Sequence, residues 1–146
     1  MAPELLFGAP PAVASDLYAV GVVAHELLTD SFPFSVSSMD SFLDSVLGPQ
    51  GAALLPSRVR EFLDLGDPMT TDITPTTKAL RLAPRALEEL PKLAALPRQL
   101  ATVVGRLLAR DAVDRYSSAE EALAALGQIW SNHFELETAA TRESFL

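Results

Sequence analysis

Two histidines, His25 and His133, are the only imidazoles in the chain, and cysteine is absent. A metal site on a pair so far apart would need carboxylate partners, and none stands at a recognisable ligand spacing. Both therefore read as packed or surface histidines, and no metal is expected. Without cysteine there is no thiolate nucleophile, no disulfide and no cysteine-held zinc. The adjacent carboxylates Glu88 and Glu89, and Glu120 and Glu121, read as solvated helix faces rather than acid/base pairs. No Gly-x-Ser-x-Gly turn or metalloprotease histidine pair occurs. Gly8 sits in a proline-bordered turn and Gly21 inside an apolar run, so neither forms a phosphate cradle. Lys78 and Lys92 lie in no strand context. No catalytic, cofactor-binding or metal-binding residue is assigned.

The elements that would have to position any site come from 146 residues, 49% of them hydrophobic, enough for a single globular unit. The formal charge of −8 sets up a field that repels phosphate backbones and anionic lipid. Neither nucleic acid nor membrane is expected as a partner. No basic stretch followed by an apolar core opens the chain. The longest apolar run, Leu17 to Leu28, is broken by His25 and Glu26 and is shorter than the roughly 20 residues a membrane span needs. A soluble, cytoplasmic protein is expected.

Ser15 to Thr29 lacks proline and is apolar nearly all round, the pattern of an interior helix. Ser15 or Asp16 is placed to cap it, and Asp30, Ser31 and Pro33 to end it. Ser37 to Leu47 carries Met39, Phe42, Leu43, Val46 and Leu47 at helical spacing and stops at Gly48 and Pro49. Between Gly48 and Pro97 the pattern weakens: Val59, Phe62 and Leu63 suggest one helical piece, and Ala86, Leu87 and Leu90 another. Pro68, Pro75, Pro84 and Pro91 interrupt it. From Pro97 an amphipathic helix follows, with Leu100, Val103, Val104, Leu107 and Leu108 on one face. Ser117 with Glu120, or Ser118 with Glu121, forms a capping box for a last helix lined by Ala122, Leu123, Leu126, Ile129 and Trp130. Residues 131–146 read as a fraying tail or the start of a linker. The fold class is mainly α.

Met1-Ala2-Pro3-Glu4 resembles the Ala-Pro-Glu motif that closes the activation segment of protein kinases. At the family's usual distance follow Ser15-Asp16-Leu17-Tyr18-Ala19-Val20-Gly21-Val22-Val23, then Glu26-Leu27-Leu28-Thr29 and Phe32-Pro33-Phe34. Arg106 to Asp111 and Asp114 to Leu123 are similar to the end of bacterial serine/threonine kinase domains. The resemblance covers residues 1–49 and about 91–127. It implies the helical C-lobe of the kinase fold, without the N-lobe, the catalytic loop and most of the activation segment. Residues 1–130 would be a partial kinase domain with a long insertion or loop at about 48–90.

Three residues carry a structural role over from the family. The glutamate matching Glu4 pairs with the arginine matching Arg115, whose planar fork suits a carboxylate. The aspartate matching Asp16 accepts backbone hydrogen bonds from a catalytic loop that this chain does not contain. Read from the sequence alone, Glu4 is a first-turn acid, Arg115 a solvated charge and Asp16 an N-cap. Asp30 stands where the family usually has glycine, a mild change because aspartate tolerates a left-handed backbone.

The parts that perform phosphoryl transfer, a glycine-rich cover, a phosphate-binding lysine and the aspartate and asparagine of the active site, do not occur here. The chain is expected to be inactive alone, with ATP and magnesium belonging only to a full-length parent. Met1 falls within a motif, so a truncated, split or wrongly started kinase product is expected. The partners expected are the missing kinase half or a protein substrate or regulator. Apolar surface left uncovered around Leu17 to Leu28 would promote self-association. The alternative is a non-catalytic interaction or regulatory module, using the face around Phe32, Phe34, Met39 and Phe42.

Overall fold

A computed structural model describes residues 1–63 and 82–144, with side chains as far as Asn132. Pro68, Pro75 and Lys78, and the middle of the expected insertion, lie outside the described residues. The described elements are the α-helices α1 (Pro3–Leu6), α2 (Val13–Thr29), α3 (Met39–Leu47), α4 (Ser57–Phe62), α5 (Pro91–Ala94), α6 (Arg98–Leu107) and α7 (Ala119–Ser144), joined by short 3₁₀ turns. No strand occurs among the described residues. The mainly α class is therefore observed.

α2 starts two residues earlier than its apolar run. Ala12 occupies the cap position, and the hydroxyl of Ser15 accepts the Ala12 N–H at 3.3 Å. Asp16 is the fourth residue of the helix rather than its cap. At the other end Asp30 takes the left-handed conformation with φ 53°, and its N–H reaches the carbonyl of Glu26 at 2.9 Å. Aspartate thus fills the position where glycine is usual, at a modest conformational penalty.

α2 and α6 lie against each other at Gly21. A Cβ there would stand 2.8 Å from the Cβ of Leu107, so only glycine permits the approach. On α6, Val103, Val104 and Leu107 are buried, as is Leu108 just past its end, as their spacing predicts; Leu100 of the same expected face is only half-buried, and Ala101 is buried in its stead. Pro97 stands one place ahead of the helix, with an extended backbone, and its carbonyl accepts the N–H of Ala101. Tyr18, Leu43, Val46, Leu47, Leu93 and Leu108 centre the larger apolar cluster. Leu17, Val103, Leu107, Tyr116 and Ala122 form a smaller one, joined by Ala125 and Ile129.

Two expectations change. The apolar side of α7 splits: Ala122, Ala125 and Ile129 pack inward, whereas Leu123, Leu126 and Trp130, one step round the helix, face solvent. The buried stripe is narrow because α6 is the main element covering it. The helical backbone also runs on to Ser144, past residue 131 where a tail is expected. Of the two capping registers the second is used. Ser118 accepts the Glu121 N–H at 3.1 Å, while the Glu121 carboxylate reaches back to Ser117. Among the described residues no helix is long and apolar enough to cross a membrane.

Candidate functional site

Pro3 begins α1, where its missing N–H costs nothing. That turn aims Glu4 inward. Arg115 leaves the 3₁₀ turn at Ala112–Asp114 in extended conformation just ahead of α7. The two meet across the molecule, 111 residues apart in sequence, with Arg115 Nη1 2.7 Å from Glu4 Oε1 and Nη2 2.7 Å from Oε2. The remaining Arg115 donors go to backbone carbonyls: Nε to Ala109 at 2.8 Å, Nη1 to Ala14 at 2.9 Å and Nη2 to Arg110 at 3.0 Å. All five guanidinium N–H groups are thereby used.

The Arg115 side chain is fully buried and that of Glu4 is about one-fifth exposed. Tyr18 lies beneath the guanidinium, its ring centre 4.8 Å from Cζ. Ser15 donates to Glu4 Oε1 at 3.1 Å. Burial pushes the Glu4 carboxyl upward, but the hydrogen bonds and charge of Arg115, together with its own backbone and Ser15 hydrogen bonds, jointly outweigh it, and the group ends below its ordinary value of 4.5. This bidentate pair joins α1, the start of α2, the end of α6 and the entry to α7.

Asp16 is not brought to this cluster. It is exposed on the side of α2 away from Tyr18, and its carboxylate makes no hydrogen bond among the described residues. Its standing interaction is with the positive end of the helix dipole.

Two further arginines belong to the same interior and carry no sequence signal of their role. Arg85 donates to the carbonyls of Ser45 at 2.7 Å, Val46 at 3.0 Å and Leu108 at 2.8 Å. Arg110 reaches the carbonyls of Ala83 at 3.1 Å and Val46 at 3.3 Å and the Glu89 carboxylate at 2.9 Å. Together they satisfy carbonyls that the last turn of α3 leaves unpaired. Burial lowers the pKa of Arg85 and pushes the Tyr18 phenol up to about 12. Arg85 follows Pro84 in the weakly patterned stretch, where composition alone suggested loop.

Glu89 and Glu121 lie at the surface as their spacing suggests, yet each is also engaged. Glu89 holds Arg110 and the Ala86 N–H, and Glu121 holds the Ser117 N–H and hydroxyl, both at 2.7 Å. An open cleft of about 560 Å³ lies between residues 84–90 and α6, walled by Arg85, Arg106 and Arg110. Carbonyls and Glu89 already engage every Arg110 donor and most of those on Arg85. The cleft thus offers an apolar floor rather than a ready phosphate cradle. His25 is buried, its Nδ1 2.8 Å from the Ser31 carbonyl, which fastens the turn after α2. Among the described residues no cluster of three metal-ligating side chains occurs.

No family model matches the sequence. Over 34 residues the chain is 53% identical to the serine/threonine-protein kinase PknD of Chlamydia abortus, 23% of this chain and 4% of that protein. A part of this chain is similar to a serine/threonine kinase. PknD of Chlamydia pneumoniae matches over the same extent, and PknD of Protochlamydia amoebophila is 40% identical over 42 residues, 29% of this chain and 4% of that one. The matched stretch is thus a small fraction of the length of these curated relatives.

Proposed function

We propose that this chain is the C-terminal part of a serine/threonine protein kinase domain, supplying the helical lower lobe and no catalytic residue of its own. The observation that carries the reading is the bidentate contact of Glu4 with Arg115, at the two positions the kinase resemblance pairs. The short PknD similarity supports it independently of geometry. In this reading α1 is the end of an activation segment, and Arg115 ties it to the lower helices. ATP-dependent protein phosphorylation, with its magnesium, belongs to the joined parent working in the cytoplasm.

The residues present do not fit a nucleotide and its metal. The buried guanidiniums are occupied by carbonyls and Glu89, and no metal-ligating cluster stands near them among the described residues. No chemical step is therefore derived for this chain. Calorimetric titration of the purified chain with Mg-ATP should give no binding heat. Co-expression with a kinase N-lobe and catalytic loop should give phosphate transfer to a generic protein substrate. Micromolar Mg-ATP binding by the chain alone, or no activity from a soluble joined pair, overturns the proposal.

The second reading, a non-catalytic interaction module, draws on the partial exposure of Phe32 and Met39. Phe34 and Phe42 of the same face are packed inward, with the Phe34 ring stacked 6.1 Å from Tyr18. That leaves a rim rather than a docking face there.

A further inference from the structure

The cleft between residues 84–90 and α6 holds about 560 Å³, within the range of roughly 300–1,000 Å³ usual for small-molecule sites. All its lining residues fall within 84–114, and none of them is a residue to which the kinase resemblance gives a role. Ala101, Gly105 and Ala109 line it at steps of four. Gly105 is inside α6, where glycine costs a helix more than alanine does. Packing does not require it. A Cβ there would find only Leu93 Cδ2, at an ordinary 4.0 Å, unlike the Cβ that Gly21 cannot carry. Its absence keeps the floor of the cleft level. No side chain longer than a methyl rises from this row, so a planar ring can lie on it, with Leu87 and Leu90 also lining the space.

Charge selects the head group. Three arginines and one aspartate line the cleft. Arg110 is met by Glu89 and Arg106 by Glu121, and Asp114 has an interaction of its own. Arg85 differs: its hydrogen bonds go to the carbonyls of Ser45, Val46 and Leu108 and to the Tyr18 hydroxyl, with no carboxylate among them. A cation would meet like charge, and a neutral molecule would leave Arg85 without a counterion, whereas an anion supplies one. Arg106 is placed to hold it. Its side chain is 45% exposed, its Cζ lies 4.2 Å from the Tyr116 ring centre, and Nη2 reaches Glu121 at 3.2 Å. Among the described residues no hydrogen bond uses its Nε or Nη1, so one edge of a positioned guanidinium faces outward for a carboxylate. A phosphate, with three strong acceptor oxygens, would be left short of donors. We propose that the cleft binds a planar aromatic carboxylate, its ring on Ala101, Gly105 and Ala109 and its carboxylate on Arg106. This goes beyond the kinase reading and does not rest on it, since it uses only side chains around α6.

The test is equilibrium dialysis of the full chain against 2-naphthoate and its uncharged isostere 2-naphthamide. The carboxylate should bind about fivefold tighter, the effect of one partly exposed ionic contact. Arg106→Gln should erase that gap and leave the affinity for the amide unchanged. Gly105→Phe should abolish binding of both, because the new ring occupies the floor. Thr102→Phe, on the exposed edge of the same cleft, gives a second plug if Gly105→Phe loses its helical circular dichroism. Equal affinity for the two compounds, binding of neither, or a carboxylate preference that survives Arg106→Gln overturns the proposal. So does undiminished binding by a folded plugged variant, since the compounds would then sit on other apolar surface such as the exposed valines of α2.

Discussion

Both faces of α2 carry apolar residues, and their fates are opposite. Inward, Tyr18 is fully buried over Arg115, and Gly21 lets α6 approach to backbone contact. Outward, Val20, Val23 and Leu27 stand in solvent. Apolar residues all round a helix therefore report how the helix is suited to be seated, whereas the described chain seats only one side. The inner side is fixed by shape and by an ion pair whose arginine is fully buried.

The largest break in this contrast should come from Arg115→Met. It leaves Glu4 partly buried without its cation and the carbonyls of Ala14, Ala109 and Arg110 without donors. Loss of one partner of a buried pair costs about 3–5 kcal/mol, so urea denaturation should show the chain largely unfolded. Gly21→Ala should follow, at about 1–3 kcal/mol, because the added carbon meets Leu107 Cβ and backbone. A thermal melt unchanged by that substitution would mean that the helices are not in close contact.

Acid should act on the same side. Glu4 has a lower pKa folded than unfolded, so the folded form binds fewer protons. Its contribution is complete above the ordinary value of 4.5 and is lost as pH falls through the lower folded value. Glu89 and Glu121 shift in the same direction, so the comparison of interest is with Glu4→Gln. Below pH 4.5 the wild type should lose stability more steeply than this variant. The smallest effect belongs to the outer face, where Val23→Thr should change stability by no more than about 0.5 kcal/mol.

Much of this was legible in residue order. Helical spacing places α2, α3 and α6 to within a few residues, since each has a regular apolar period between capping and breaking residues. The left-handed Asp30 follows from its chemistry. Glu4 and Arg115 could be set together only through a resemblance, because no local pattern links residues so far apart. Arg85, Arg110 and Glu89 escaped because their partners are backbone carbonyls, or each other, brought near by folding alone. The split face of α7 escaped for a related reason: Leu123 and Ala122 are equally apolar in sequence, and which one is covered depends on where α6 passes.

A double-mutant cycle on Glu4→Gln and Arg115→Gln, measured by denaturant unfolding, goes to the heart of the matter. Two side chains sharing a bidentate contact should show a coupling free energy of about 1.5–3 kcal/mol. Additive effects, with coupling within about 0.5 kcal/mol of zero, would mean that the pair does not hold α1 to the body of the protein.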